Sequence, residues 1–210
     1  SLNDCQIYHT QLGIHVANSG TLNLARCTLA GTHDGVYLEP GSHCAMSGSN
    51  ISGDYNGTGV TTAISLGSAD SITAAPNTIN AFYDGMIVGG FGLAIDHFVI
   101  ANCRLYGVRV NGGNSTLAYC TVANNGDIGV YYASAGGRLY NSIVAGGPRP
   151  IYSEAPGMYC NYVDAWGLPG STSDPFGSAL TGSQNASFYP ALTSDYSLNS
   201  FFRFSMHASV

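Results

Sequence analysis

Apolar and polar residues alternate along this chain in short bursts separated by turns. In Leu117-Ala-Tyr-Cys-Thr-Val122, Leu117, Cys120 and Val122 read as inward and Ala118 and Thr121 as outward, with Tyr119 in a bend between them. After the turn Ala-Asn-Asn-Gly-Asp, Val130 and Tyr132 point in and Tyr131 out. A period of two predicts half-buried strands, and residues 1–163 carry no sustained 3.6-residue apolar stripe, so few helices are expected. Residues 21–38 repeat the pattern, with Leu24, Cys27, Leu29, Val36 and Leu38 inward.

The bursts recur in sets of three. A glycine followed by an apolar residue marks each set: Gly13-Ile14, Gly35-Val36, Gly59-Val60, Gly85-Met86, Gly107-Val108 and Gly129-Val130, at steps of 22, 24, 26, 22 and 22 residues. A fixed period of this length predicts a solenoid, whose repeats bury their apolar faces only by stacking on one another. The coils run 2–20, 21–41, 42–71, 72–92, 93–113, 114–137 and 138–157, and an eighth opens at Met158. From about Asp164 the period fades into Gly, Pro, Ser and Thr, which mark turns. The expected organisation is 1–163 as coils and 164–210 as an irregular C-terminal cap, needed because an open last coil exposes apolar residues and strand edges.

Composition narrows the function. Charged residues are 9% of the chain, the net charge is −6, and all six basic residues are Arg. Scattered Arg without Lys does not make the clustered basic face that nucleic acid requires. No apolar run is long enough for a membrane helix, and no basic-then-apolar leader opens the chain. The start at Ser1-Leu-Asn-Asp falls in mid-pattern and reads as a piece of something longer. Cys5, Cys27, Cys44, Cys103, Cys120 and Cys160 show neither CxxC nor zinc spacing, so neither metal nor cofactor is expected. Cys5, Cys27 and Cys120 share one repeat position and read as small buried hydrophobes.

The phrases Leu-Ala-Arg-Cys-Thr-Leu-Ala-Gly, Leu-Ala-Tyr-Cys-Thr-Val-Ala-Asn-Asn-Gly and Leu-Tyr-Asn-Ser-Ile-Val-Ala-Gly-Gly resemble the right-handed parallel β-helix repeat proteins of the pectate-lyase-like superfamily. The resemblance implies an all-β, right-handed parallel β-helix of about seven to eight coils. The segment ending Asp195-Tyr-Ser-Leu is similar to the closing segment of secreted β-helix surface proteins. The superfamily hosts lyases, hydrolases, tailspikes, adhesins and inert surface proteins, so fold leaves activity open. Polygalacturonase motifs are absent. Ile95-Asp96-His97 resembles a phrase of pectate lyases, but without the acidic calcium cluster those lyases carry.

In β-helix polysaccharide enzymes the substrate groove lies along the strand after the key glycine and the turn before it. Here the outward positions of that strand read His15, Tyr37, Thr61, Ile87, Arg109, Tyr131 and Tyr152. Sugars stack apolar faces on Tyr rings while carboxylates and amides take hydroxyls. His15, Tyr37, Tyr131, Asp127 and Tyr152 are the candidate substrate-binding residues. Asp34 and Asp84, two coils apart and so roughly 9–10 Å apart by strand stacking, are the candidate catalytic acids, with Asp54 in the turn between. That separation suits an inverting pair; shaping a turn is the alternative for each Asp. Arg109, with Asp84 and Asp127 as expected neighbours, is the candidate lyase base or clamp for a uronic acid carboxylate. Arg109 and Tyr131 point away from the core, so replacing either is expected to leave the melting temperature nearly unchanged. A second outward column reads Gln6, Thr28, Asn50, Thr78, Val99, Thr121 and Ile143.

Two functions fit. One is an extracellular, cell-surface or virion module that recognises, and with a working carboxylate pair cleaves, a polysaccharide or glycan. The other is a non-catalytic surface or fibre component, in which the repeat supplies length and self-association is open through an end or flank.

Overall fold

A computed structural model describes residues 1–53, 61–67, 72–74, 76–167, 180–181 and 185. The described residues form strands and turns with no helix, wound as a parallel solenoid with three stacked faces. The first face stacks Leu2–Asn3, Thr21–Ala25, His43–Ser47, Ile72–Ala74, Ala94–Asp96, Thr116–Ala118 and the opening halves of Arg138–Gly147 and Met158–Gly167. The second stacks Gln6–Tyr8, Thr28–Thr32, Asn50–Gly53, Asn77–Asn80, Phe98–Ala101, Thr121–Ala123 and the closing halves of the same two long strands. The third stacks Leu12–Val16, Asp34–Leu38, Thr62–Leu66, Asp84–Val88, Tyr106–Val110, Ile128–Tyr132 and Arg149–Ser153.

Alternation decides what fills the bore. Leu29, Ile51, Ile79, Ile100, Val122 and Val144 are fully buried in one inward column, and Val36, Ile64, Met86, Val108, Val130 and Ile151 are buried in another. Each side chain meets its counterpart one strand spacing away, about 4.8 Å, so the core is one continuous rod of apolar contacts. The inward residues read from coils two and six are all buried. All six cysteines are free, and burial pushes the thiols of Cys44, Cys103, Cys120 and Cys160 up to about 12. Held as neutral thiols, they are packing residues rather than nucleophiles.

Single residues with positive φ turn the corners. Asp4, Arg26, Gly48, His97, Tyr119, Asn141 and Tyr162 do so between the first and second faces, at φ of 46–58°. Side chains are tolerated in this strained region because the backbone there stays in the ladder: Arg26 N–H donates to Ser47 C=O at 2.8 Å and Tyr119 N–H to Tyr140 C=O at 3.1 Å. The next N–H along faces inward and takes a side-chain acceptor from the following coil. Cys27 donates to Ser49 Oγ and Cys120 to Ser142 Oγ, each at 3.1 Å. These buried hydroxyls satisfy donors that would otherwise be orphaned.

The glycine column has a steric cause. A Cβ on Gly13, Gly85, Gly107 or Gly129 would lie 2.5–2.7 Å from the carbonyl oxygen of the equivalent residue one coil on. The third coil corrects the sequence reading. Its member of this column is Ala63, because Val36 pairs with Ile64 and Tyr37 with Ser65; Gly59-Val60 lies outside the described residues. The steps along the column, Gly13, Gly35, Ala63, Gly85, Gly107 and Gly129, are therefore 22, 28, 22, 22 and 22. Along this column the repeat is 22 from Gly13 to Gly129 apart from one six-residue insertion (28 less 22) between Ile51 and Ile64, and it shortens to 21 where Val130 pairs with Ile151.

At the far end the strand placed up to 163 runs on to Gly167, and Leu180–Thr181 pairs with Met158 and Tyr159. Asn185 then repeats the corner device, accepting Val163 N–H at 3.1 Å and donating to Cys160 C=O at 3.0 Å. The 22-residue register thus continues past 163. Most of the segment read as a cap, including Asp195-Tyr-Ser-Leu, lies outside the described residues.

Candidate functional site

The outward column of the third face contains His15, Tyr37, Ser65, Ile87, Arg109, Tyr131 and Tyr152, paired rung to rung. Ser65 takes the place read for Thr61, which is instead buried and accepts Tyr83 N–H through its hydroxyl at 2.8 Å. The column splits into two clusters around Ser65 and Ile87.

The N-terminal cluster is His15 and Tyr37, with ring centroids 5.3 Å apart. His15 Nε2 lies 2.9 Å from Glu39 Oε1, and Glu39 Oε2 accepts Asn18 N–H at 3.0 Å, so the imidazole is held by an anchored carboxylate. Tyr37 is 41% exposed.

In the C-terminal cluster, Tyr131 stacks between Tyr106 and Tyr152, with centroids at 5.3 and 6.0 Å and planes within 19°. The Arg109 guanidinium sits 5.6 Å from the Tyr106 ring and 5.9 Å from the Tyr131 ring, and its Nε donates to Asn111 Oδ1 at 3.1 Å. This packing corrects one expectation. Tyr131 points outward but is only 8% exposed, because neighbouring rings cover both faces. Burial and a hydrogen bond with Glu154 push its phenol up to about 12. Removing it therefore costs stability, and its ring faces are closed to a ligand. Tyr152, 40% exposed, keeps a face open.

The carboxylates are placed differently from one another. Asp84 pairs in register with Thr62, and Thr62 N–H donates to Asp34 Oδ1 at 3.0 Å, so the two Asp residues share a column with one coil between them, as the spacing predicts. Asp34 is half-exposed, with His33 Nδ1 3.4 Å from its Oδ2. Asp84 is 2% exposed, and its Oδ1 has no hydrogen-bond partner. Burial raises its pKa above the ordinary value, against a hydrogen bond from the Tyr106 backbone and the charge of Arg109. Asp34 and Asp84 thus do one structural job alike, each taking a backbone N–H from the next coil. Asp54 lies outside the described residues.

Asp127 is not beside Arg109 in the sense expected. It forms a forked ion pair with Arg149, at 2.7 and 2.8 Å through Nη2 and 3.1 Å through Nε, and Arg149 also sits 5.2 Å from the Tyr152 ring. Arg149 was missed from the sequence because Pro150 replaces the glycine in that coil, yet it stands 22 residues after Asp127. Asp96 is half-buried at the end of its first-face strand, and His97 takes the corner, stacked on Tyr119 at 5.0 Å. Among the described residues, no three His, Cys, Asp or Glu side chains converge as a metal site would need, and no helix is long and apolar enough to cross a membrane.

No curated protein matches the chain. Among solved structures, two trypsin-treated forms of QnrB1, described as a plasmid-mediated fluoroquinolone resistance protein, are similar over nearly the whole length. One is 11% identical with a TM-score of 0.33, covering 98% of this chain and 97% of that one. The other is 11% identical with a TM-score of 0.27, covering 97% of each. The family model described as a right handed beta helix region matches residues 12–161. That span takes in all seven third-face strands, and the chain belongs to the right-handed β-helix family.

Proposed function

We propose that this β-helix recognises carbohydrate along its third face, without cleaving it, in an exterior setting such as a cell surface or virion. The observation that carries the reading is the outward strip itself. Tyr37 and Tyr152 each offer a ring about 40% exposed, with the anchored His15 and the ring-held Arg109 beside them. A fixed Tyr ring binds the apolar face of a sugar with little entropy to lose, and a prepositioned Arg adds a charge-assisted contact to an acidic one. Sparse charge without Lys suits that partner better than a polyphosphate.

Binding is favoured over cleavage by the state of the acids. Hydrolysis needs two carboxyl groups that both reach one glycosidic bond. Asp84 is buried, and one oxygen of Asp34 is taken by a backbone N–H. The second reading, a structural component, is supported by the same strip's self-sufficiency: Arg149 is neutralised by Asp127 and Tyr131 is sandwiched.

An array of acidic and neutral glycans probed with the chain, followed by a reducing-end assay on whatever is retained, separates the possibilities. Retention without new reducing ends is the expected result. New reducing ends would return Asp34 and Asp84 to a catalytic role, and no retention on any glycan would leave the structural reading.

A further inference from the structure

Coil one ends the apolar rod with its inward side chains uncovered. Leu2, Cys5, Ile7 and Ile14 hold the same inward positions as Leu24, Cys27, Leu29 and Val36 one coil on, where exposure is 0–2%, yet they are only half-buried. The hydrogen-bond ladder ends there too. Thr28 N–H donates to Cys5 C=O and Asp34 N–H to Gln11 C=O, each at 2.9 Å. Their in-register counterparts in coil one, Gln6 and Leu12, turn their N–H groups in the same direction, away from coil two and toward the open end. Among the described residues no strand lies there to accept them.

A free edge of this kind is a template for another strand unless Pro, Lys or an inward charge blunts it. Coil one has no Pro and no Lys, and its half-buried inward positions are apolar. Its one carboxylate, Asp4, is forked onto Arg26, with both bonds at 2.7 Å, so it meets a neighbour already compensated.

This end is self-complementary. A two-fold axis perpendicular to the solenoid reverses chain direction, so strands brought together across it pair antiparallel. The axis through the Asp4-Cys5 corner and the middle of the third-face strand exchanges the first and second faces. Leu2 and Ile7 lie equally far either side of that corner, so each meets the other in the second copy. Ile14 then faces the third-face strand of the copy, and the two Cys5 thiols stand beside the axis. Coil one spans 2–20, so the joint engages on the order of 20 residues a side, near the usual size of a stable interface.

We propose that coil one is the joint of a head-to-head dimer, in which a second copy of this chain closes the rod and extends its sheets. The joint stands apart from the carbohydrate reading, and neither requires the other. The test is sedimentation equilibrium of the whole chain over a concentration series, with cross-linking by a short bis-maleimide. The expected result is a reversible dimer with a micromolar or tighter dissociation constant. Cys5 is half-buried and the other five cysteines are buried, so the reagent should join two chains through Cys5. Cys5→Ser should abolish the cross-link and leave the dimer. Ile7→Asp places carboxylates in the apolar joint and should raise the dissociation constant about a hundredfold or more. Gln6→Pro removes an N–H that faces the open end, and an edge strand tolerates Pro. It should raise the constant about tenfold or more and leave the circular-dichroism spectrum that of the parent. A monomer at every concentration, a dimer that Gln6→Pro does not weaken, or a dimer that fails to cross-link through Cys5, as head-to-tail contact would, each overturns the proposal.

Discussion

The bore of the solenoid and the strip on its third face are made by the same strands in the same register, yet they obey different constraints. Inside, each coil must present a residue of suitable size at the same place, so Val36, Ile64, Met86, Val108, Val130 and Ile151 vary only within a narrow apolar range. Outside, the neighbouring column runs His15, Tyr37, Ser65, Ile87, Arg109, Tyr131 and Tyr152, mixing aromatic, hydroxyl, aliphatic and charged side chains. Packing enforces repetition where water is excluded; nothing enforces it where side chains meet solvent. Departures from sameness on the outside are therefore where function is to be sought, and departures on the inside are where stability is lost.

The sharpest way to break the contrast is to put a charge in the bore. Val130→Asp buries a carboxylate with no partner and should cost several kcal/mol, enough to unfold a marginally stable domain. Loss of the β-sheet signal in circular dichroism checks it; cooperative folding of the variant would mean the inward register is wrong.

Tyr131 blurs the contrast, since it is an outward residue with an inward residue's burial. Tyr131→Ala should lose about 1–3 kcal/mol through apolar burial and two ring contacts. Tyr152→Ala, at 40% exposed, should lose distinctly less. Thermal melts of the two side by side read the difference, and equal shifts would show that the stack does not bury Tyr131.

Asp84 is the opposite exception, a charge-bearing residue drawn inside. Its folded-state pKa lies above the ordinary 3.8, so the folded chain holds the proton more tightly than the unfolded one. Its contribution to stability is fully present below the unfolded value and is lost as pH rises through the folded value. Asp84→Asn keeps an acceptor for the Tyr106 backbone and removes the ionisation. The variant should be at least as stable as the parent at neutral pH and should lose that part of the pH dependence. Denaturant midpoints measured from acid to neutral pH test this, and a variant less stable than the parent at neutral pH would show that the ionised carboxylate is favourable there.

This same division explains what could be read from the sequence. The faces, the inward columns, the bend at Tyr119, and the Gln6-to-Ile143 column all follow from alternation and period, because each is repeated. Coil three misled because Gly59-Val60 imitates the glycine signature, while the true member, Ala63, carries a Cβ. Thr62-Ala-Ile-Ser-Leu66 carried the strand alternation that could have placed it. Partner choice was less legible: the register sets Arg149 against Ile128, beside Asp127, and Arg109 against Tyr131, four residues farther along the strand, a distinction hidden while Pro150 masked the last coil's glycine position.

The central claim is that the third-face strip, and not exposed aromatic surface in general, is where sugar binds. Tyr152 and Tyr119 are both exposed, at 40% and 57%, but Tyr119 lies at the corner between the first and second faces. Affinity for a glycan retained by the chain should fall about fivefold or more in Tyr152→Ala, the loss of roughly 1 kcal/mol of ring stacking, and should be unchanged in Tyr119→Ala. Equal loss in both variants, or loss only in Tyr119→Ala, would contradict the account.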